Sequence, residues 1–341
     1  MNILMCGGIN CGEVVDNITR GWTRIGANVI YQATRDGSKG GCHQPIDDLR
    51  GIMVRHVREF QPDLLFWALC KSDCPEGLVR ELRALRPQMK TVFHSFDDPY
   101  QHDEHGDLAQ RWVDGFEYAV TCCADSVRWY AARGVKARVV YPPVDIDRYG
   151  SAQRRPELHV NFVMAGTNLY PSQRYPAVLV DRSALVRRAR KIGSLKLYGY
   201  WDRQFAWGAP EFGVPELKDC YGGFLHFDAQ AEVYASADIC LCSHVRPDGL
   251  GYLNERVLYV LASGGFLLVD RVRGIEDLFT PGVHCDTWAT LDEFEEKARW
   301  WLAAPAERQK VAQAGRRLVW RKYSNEQHAM AVLEMCGLPR P

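Results

Sequence analysis

The chain alternates short apolar runs with longer amphipathic stretches from its first residues onward. Apolar runs of about four to eight residues bounded by turn residues are typical of buried strands, and apolar residues three or four positions apart are typical of helices. The first part of the chain therefore has predicted strands at Ile3–Cys6, Ala27–Gln32, Leu64–Leu69, Thr91–His94, Tyr118–Cys123 and Ala137–Val140, separated by predicted helices at Gly12–Ile25, Asp47–Phe60, Glu76–Leu85 and Asp125–Arg133. Such an alternation indicates a parallel sheet with helices on both faces.

Tyr141-Pro142-Pro143 interrupts this pattern, because proline fixes φ and removes a backbone donor. A second series follows, with predicted strands at His159–Ala165, Leu195–Tyr198, Asp238–Cys242 and Phe266–Val269, predicted helices at Tyr175–Ile192, Ala229–Ala235 and Tyr252–Ser263, and helices alone from there to the end. We therefore predict two doubly wound, Rossmann-like α/β domains that face a cleft, residues 1–144 and residues 156–322. Residues 323–341 are expected to return as a helix to the first domain, with Tyr141–Pro143 as the hinge.

Composition is that of a globular protein, with 47% hydrophobic and 25% charged residues in 341. The 42 basic side chains equal the 42 acidic ones, so no global field would attract nucleic acid or membrane. No apolar run approaches the length of a membrane span, and no basic leader opens the chain, which predicts a cytoplasmic protein. The twelve cysteines are expected to be thiols, with Cys122, Cys123, Cys240 and Cys242 buried in strands.

The strongest chemical signal is a glycine-containing loop that opens the predicted helix Tyr252–Ser263. Gly249 and Gly251 permit close backbone approach, and free N–H groups at a helix N-terminus bind anions. Asn254 and Arg256 add an amide and a guanidinium group in the first turn, which predicts a phosphate-bearing ligand. The alternative is plain packing of a helix on a sheet.

A second loop, Gly166-Thr167-Asn168, follows the first strand of the second domain, with Arg174 close behind. Ligands of doubly wound sheets bind at the carboxyl ends of strands, so this loop is a candidate ligand contact. The alternative is the N-cap of the next helix, a role that Ser172 would also serve.

In the first domain, His94, Asp97 and Asp98 follow a predicted strand and are candidates for acceptor binding or general-base catalysis. The alternative is a helix cap before Pro99. A metal bound with His102 and His105 is disfavoured, because adjacent carboxylates on extended backbone point to opposite sides. Gly7-Gly8 lacks the GxGxxG spacing of a dinucleotide fingerprint, and neither a P-loop nor a GxSxG motif occurs.

Several motifs recur in order over Val160–Leu333: a strand ending at Gly166, the turn Leu197-Tyr198-Gly199, Ala235-Ser236-Ala237-Asp238 before a strand, Tyr252-Leu253-Asn254-Glu255-Arg256 at a helix start, Ala262-Ser263-Gly264-Gly265, and Asp277-Leu278-Phe279 followed by Pro281-Gly282. With these motifs the chain resembles GT-B glycosyltransferases of the group-1 type, in particular the CgeB-like (spore maturation protein-like) branch, which includes bacteriophage relatives.

The resemblance implies transfer of a sugar from a nucleotide sugar, expected to be UDP-linked, to a hydroxyl acceptor, without a metal or other cofactor and with retention. The donor-binding residues it implies are Gly166, Thr167, Asn168, Arg174, Tyr198, Gly199, Asp248, Gly249, Gly251, Tyr252, Asn254, Glu255 and Arg256. Gly7 and Gly8 are expected on the acceptor side, with His94, Asp97 and Asp98 as the candidate catalytic residues.

One position departs from the family pattern. Many relatives carry a glutamate five residues before the glycine of the A-x-G turn, where this chain has Tyr259. Three alternatives therefore stay open: a phage-type glycosyltransferase that acts on a modified DNA base, a nucleotide-sugar epimerase, and an inactive sugar-binding protein. For a DNA acceptor, the candidate phosphate contacts are the basic loop Arg35–His43 and the arginines of two helices, Arg55 and Arg58 on one and Arg80, Arg83 and Arg86 on the other. The acceptor itself, whether small molecule, glycan or modified DNA, and the oligomeric state are not specified by the sequence.

Overall fold

The computed structural model describes residues 1–7, 12–36, 44–45, 47–68, 74–95, 113–168, 181–202, 206–210 and 213–341. The chain forms two compact units, one of Met1–Pro143 together with Tyr323–Pro341 and one of Val144–Lys322. Within the described ranges, no helix is long and apolar enough to cross a membrane.

The first unit is built on a parallel sheet. Its described strands are β1 (Asn2–Gly7), β2 (Asn28–Ala33), β5 (Leu64–Ala68), β6 (Lys90–His94), β7 (Tyr118–Thr121) and β8 (Lys136–Val139), in the order β2-β1-β5-β6-β7-β8, and a small antiparallel pair is formed by β3 (Arg35–Asp36) and β4 (Gln44–Pro45). The helices between them are α1 (Gly12–Arg24), α2 (Leu49–Phe60), α3 (Leu78–Leu85) and α4 (Ala124–Ala131). The residues of β5 are all fully buried, as expected for a strand covered on both faces.

The second unit repeats this architecture. Its described strands are β9 (Phe162–Ala165), β10 (Leu195–Tyr198), β11 (Ile239–Cys242), β12 (Leu267–Asp270) and β13 (Asp286–Trp288), all parallel and in the order β10-β9-β11-β12-β13. Its helices are α5 (Ile146–Gly150), α6 (Arg182–Ile192), α7 (Phe227–Ser236), α8 (Glu255–Ala262), α9 (Leu291–Ala303) and α10 (Pro305–Lys322). The strand order reverses between β9 and β11, and ligands bind beside the carboxyl ends of the strands at such a switch point.

The last helix, α11 (Asn325–Cys336), belongs to the first unit and packs on α1. The two helices approach so closely at Gly21 that an added Cβ would lie 2.4 Å from the Asn325 carbonyl oxygen. Glycine at this position therefore allows the helices to touch, and Arg24 reinforces the contact by donating a 2.9 Å hydrogen bond to the Asn325 side chain.

The predicted fold class, two doubly wound parallel α/β sheets, is confirmed. Two element assignments were wrong. The prediction of helices alone after Val269 missed β13, whose three residues include a polar pair and are too short to show a period. The helix predicted from Tyr252 begins at Glu255, because Asn254 caps it. The helix predicted from Tyr175 is described from Arg182 onward, and its earlier residues lie outside the described ranges.

Candidate functional site

The described donor-side residues gather at the carboxyl edge of the second sheet. The loop Gly166–Asn168 follows β9, and Ser243-His244 follows the neighbouring strand β11. Helices α6 and α8 both begin beside these loops, so their N-terminal N–H groups share the same edge with the loop backbone. This is the arrangement in which a doubly wound sheet binds an anionic ligand.

Asn254 organises the start of α8. Its Oδ1 accepts hydrogen bonds from the Val257 N–H (3.4 Å) and the Cys242 thiol (3.3 Å), while its Nδ2 donates to the Ser243 carbonyl (3.3 Å). The side chain is 7% exposed. Asn254 therefore acts as the N-cap and as a tether between α8 and β11, a structural role that accounts for both of its polar atoms.

The guanidinium group of Arg256 lies over the backbone of Gly166. A Cβ on Gly166 would come within 3.2 Å of Arg256 Nη1, and the φ of +142° also favours glycine there. Burial disfavours the charge of Arg256, but the Glu255 carboxylate, 3.7 Å from Nη1, and the Cys242 thiol outweigh it, so the pKa of Arg256 is raised above its ordinary range. The side chain keeps a quarter of its surface exposed, so this permanently charged group can meet a ligand.

A second arginine, Arg182, lies at the first position of α6 and is 1% exposed. Its guanidinium group donates to the Ser243 hydroxyl (2.9 Å), the Ser243 carbonyl (2.7 Å) and the Thr167 carbonyl (2.7 Å). Burial and the neighbouring charge of Arg256 lower the pKa of Arg182 to about 10. Each of these bonds goes to a neutral oxygen, so they orient the charge without neutralising it. The sequence offers no reason to predict Arg182 as a site residue, because one arginine within a predicted helix is an ordinary surface residue.

His244 and Asp270 form a buried pair at the ends of β11 and β12. The His244 backbone N–H donates to one oxygen of Asp270 (2.8 Å), and its Nδ1 pairs with the other (2.7 Å). The imidazole also packs edge-on against the ring of Tyr252, at 5.6 Å between centroids. Its Nε2 is buried, and no residue in the described ranges forms a hydrogen bond with it. The sequence offered only the position of His244 just after a strand, which by itself does not distinguish a core histidine.

The turn Tyr198-Gly199 lies beside the Gly166 loop. The Gly166 N–H donates to the Tyr198 carbonyl (3.0 Å), and a Cβ on Gly199 would lie 2.1 Å from the Gly166 carbonyl oxygen. Gly199 is therefore required for close packing of two loops. An adjoining cavity of about 430 Å³ is lined by Gly199 and by the aromatic side chains of Tyr200, Trp201, Tyr221 and Phe224. The Phe224 ring packs against that of Tyr200, with centroids 5.6 Å apart, and is still 64% exposed, which is unusual for a phenylalanine.

The loop before α8 has its own internal contacts. Asp248 accepts two hydrogen bonds from Arg246, at 2.7 and 2.6 Å, and this pairing lowers its pKa. Gly251 has a φ of +62°, and its N–H donates to the Arg273 carbonyl (2.7 Å). The φ of Gly249 is not positive, and its N–H closes a turn onto the Arg246 carbonyl.

Tyr259 is 1% exposed and does not occupy a ligand position. Its ring stacks on that of Tyr149 from α5, with centroids 4.9 Å apart and an interplanar angle of 11°. The residue that replaces the family glutamate therefore joins two helices of the second unit.

On the first unit, His94 ends β6 and is fully buried between Phe66 and His328. Gly7 ends β1, where an added Cβ would lie 3.1 Å from the Val15 side chain. Among the predicted site residues, Gly8, Asp97, Asp98 and Arg174 lie outside the described ranges. Their roles, and that of His94, remain predictions.

The arginines of α3 are among the candidate phosphate contacts of a DNA acceptor. The described arginines of α3 are paired with carboxylates, Arg80 with Asp114 and Arg83 with Glu117, so this helix presents an ordinary solvated surface.

Cys122, Cys123, Cys240 and Cys242 are buried free thiols, as predicted. Among the described residues, no group of His, Cys, Asp or Glu is arranged to hold a metal ion.

Part of the chain matches a known protein family. Residues 182–334 match the family model described as "Glycosyl transferase-like". A search of curated proteins by sequence gives no match. The matched segment begins at Arg182 and includes α8 with Arg256, so the family region contains both arginines of the site.

Solved structures share the fold over the whole chain. HepE from Anabaena, in complex with UDP and glucose, has 13% identity and a TM-score of 0.68, with 99% of each chain covered. Sucrose-phosphate synthase from Thermosynechococcus elongatus has 12% identity and a TM-score of 0.67, with 99% of this chain and 98% of that chain covered. An alpha-glucosyltransferase in complex with UDP-glucose and DNA containing an abasic site has 10% identity and a TM-score of 0.70, with 99% of each chain covered. The chain therefore has the GT-B fold, its residues 182–334 match the glycosyl transferase-like family, and the prediction that the protein is a glycosyltransferase is confirmed.

Proposed function

We propose that the protein transfers a sugar from a UDP-linked donor to a hydroxyl acceptor, that Arg256 and the first turn of α8 hold the donor diphosphate, and that the buried Arg182 adds its positive charge from behind the loop. The observation that supports this is the convergence of two guanidinium groups on the glycine loop after β9. Cationic donors at this point stabilise the charge that develops on a departing diphosphate. Relatives with this fold contain UDP or UDP-glucose in their crystal structures.

Arg256→Ala tests the diphosphate site. The substitution removes a charge-assisted hydrogen bond of about 1.5–3 kcal/mol, so UDP should bind at least about tenfold more weakly in calorimetry. Arg321→Ala, at an exposed position on α10, is the matched control and should bind UDP normally. Unchanged UDP affinity in a folded Arg256→Ala protein would remove α8 from the donor site.

The nucleobase is proposed to occupy the aromatic cavity next to Gly199. That cavity adjoins the Gly166 loop, so a nucleotide with its diphosphate at Arg256 has aromatic faces within reach of its base. Phe224→Ala should weaken UDP binding by about 1 kcal/mol, because it removes an aromatic face for the base. The protein should keep its stability, because the Phe224 ring is mostly exposed. Pyrophosphate, which has no base, should bind the variant and the natural protein equally. Equal weakening of both ligands would place the base elsewhere.

The cationic residues of this site also support catalysis without a metal, since they supply the positive charge that Mg²⁺ supplies in other transferases. Transfer and donor hydrolysis should persist in EDTA. Activity that disappears with EDTA and returns with Mg²⁺ or Mn²⁺ would contradict this. The CgeB-like relationship and retention of anomeric configuration remain part of the proposal, and NMR of the first-formed product determines the configuration.

A DNA acceptor is a second candidate, favoured by the fold likeness to an alpha-glucosyltransferase in complex with UDP and a 13-mer DNA containing a HMU base. The neutral net charge and the paired arginines of α3 favour a smaller acceptor. Incubation with UDP-glucose and HMU-containing DNA decides between them. Glucose on the DNA would establish the second candidate, and donor hydrolysis without labelled DNA would favour the first.

A further inference from the structure

A charged cavity lies at the opposite, amino-terminal edge of the second sheet. It has a volume of about 190 Å³ and is lined by residues that precede β11 and β12 and by one face of α10. Asp238 immediately precedes β11, and Gly264 lies just before β12. Strands of four residues are about 13 Å long, so about the length of one strand separates this cavity from the donor site.

The charges that line the cavity do not balance. Arg154, Arg308 and Arg316 contribute three positive charges, and Asp238 is the acidic residue among the described lining residues. Four donors already surround the Asp238 carboxylate: Arg154 at 3.2 Å, Arg308 at 2.6 Å, His159 at 3.1 Å and Asn161 at 3.0 Å. A carboxylate has about four lone-pair positions, so Asp238 has no capacity left for a further cation.

Arg316 carries one of the two positive charges that Asp238 does not compensate. Its Nη2 donates to the Gly150 carbonyl, and its guanidinium group lies 4.2 Å from the centroid of the Trp320 ring. Among the described residues, its buried Nε has no hydrogen-bond partner and no carboxylate pairs with this side chain. Burial lowers the pKa of Arg308 and of Arg316, which means that their surroundings disfavour the charge that both carry.

We infer that this cavity binds the phosphate group of a small molecule. A phosphate group would accept hydrogen bonds from the guanidinium groups of Arg316 and of the half-exposed Arg154, which line the cavity, and its charge would offset the excess of two positive charges. The volume accommodates a phosphate with a few further atoms, but not a nucleotide sugar, for which pockets of about 300 Å³ or more are usual. The exposed Gln309 and Gln313 on α10 supply amide donors at the rim.

Calorimetry with inorganic phosphate and with glycerol 3-phosphate tests this site in the presence of saturating UDP, which occupies the donor site. Both probes should show saturable binding, and tighter binding of glycerol 3-phosphate would identify a phosphate ester as the natural ligand. Arg316→Gln should weaken binding about tenfold or more, the effect of losing one charge-assisted hydrogen bond. Arg317→Gln, which makes the same charge change at an exposed position of α10 outside the cavity, should leave binding unchanged.

Gln313→Glu provides a second test that leaves the buried contacts of Arg316 intact. The new carboxylate at the rim should repel the anion and weaken binding, while thermal stability in phosphate-free buffer stays the same. The site does not depend on the proposed function, and Arg256→Ala should bind both probes as the natural protein does. Absence of saturable binding by both probes, or equal weakening in Arg316→Gln and Arg317→Gln, would overturn the inference.

Discussion

Asp270 holds His244 through two hydrogen bonds, one to the backbone N–H and one to Nδ1 of the imidazole, and the other ring nitrogen, Nε2, is buried with no hydrogen-bond partner among the described residues. An unsatisfied buried acceptor costs about 1–3 kcal/mol, and native proteins retain such a group mostly where a ligand completes it. Because Nδ1 donates to the carboxylate, neutral His244 presents Nε2 as an acceptor. We therefore expect it to receive a hydrogen bond from a donor-sugar hydroxyl, the role that the buried Tyr259 cannot perform.

Two substitutions separate the nitrogens of His244. Asparagine places its amide near Nδ1 and deletes Nε2, so His244→Asn should keep the bond to Asp270 and the stability of the protein. It should bind UDP normally but transfer sugar at least about tenfold more slowly. Glutamine places its amide near Nε2, so His244→Gln should retain more transfer but unfold at lower temperature. Normal transfer by a folded His244→Asn protein would restrict His244 to a structural role.

At single residues, the sequence predicted the loop before α8 together with Arg256, and it gave no sign of Arg182 and His244. Arg256 was predicted from its place in a first turn, because helix geometry fixes what such a residue approaches. Arg182 and His244 acquire significance only from contacts with Ser243 and Asp270, which are 61 and 26 residues away. Asn254 was predicted as a ligand contact, yet its polar atoms serve the helix cap, and a sequence cannot tell these two roles apart.

The contact between α1 and α11 depends on Gly21, where helix propensity and tertiary packing oppose each other. Alanine favours helix over glycine by about 1 kcal/mol, so propensity alone predicts that Gly21→Ala stabilises the protein. The added Cβ would lie 2.4 Å from the Asn325 carbonyl oxygen, which forces the helices apart. We expect a net loss of about 1–3 kcal/mol in the free energy of unfolding, measured in urea.

Thr23→Ala is the control for this prediction, since Thr23 is on the same helix, exposed, and bonded through its hydroxyl only to the Thr19 carbonyl. Its effect should stay within about 0.5 kcal/mol. A Gly21→Ala protein as stable as Thr23→Ala would mean that α11 moves aside at little cost.

Elements with a full apolar run were predicted well because burial on both faces leaves few alternatives. The strands β5 and β11 agree with their predictions to within one residue at each end. The end strand β13 was missed because its buried residues include Asp286, which is satisfied by Lys297 and Trp301 from α9. A buried polar residue that pairs with another element interrupts the apolar pattern from which a strand is predicted.

At the scale of the whole molecule, the first unit includes both ends of the chain. A pair of buried histidines lies between its sheet and the last helix, α11. His94 ends β6, His328 lies on α11, and their ring centroids are 5.4 Å apart. Within the part of the chain that the structure describes, neither ring nitrogen of His328 has a hydrogen-bond partner. Burial lowers the pKa of His328 to about 3, and burial together with His328 lowers the pKa of His94 well below its ordinary value.

These two groups predict that acid weakens the first unit. Unfolded histidines bind protons below about pH 6.5, whereas His328 in the folded state binds one only near pH 3, so the unfolded state holds more protons between these values and stability falls as pH falls. The linked loss for His328 over the whole window is about 4–5 kcal/mol at 1.36 kcal/mol per pKa unit. Above pH 6.5 these groups contribute no pH dependence.

Hydrogen exchange of the β5 and β6 amides should therefore accelerate between pH 6.5 and pH 5, after correction for the intrinsic rate. His328→Leu should flatten this dependence, and His226→Leu, at an exposed histidine of the second unit, should not. Equal pH dependence in all three proteins would show that neither imidazole is held neutral by the fold.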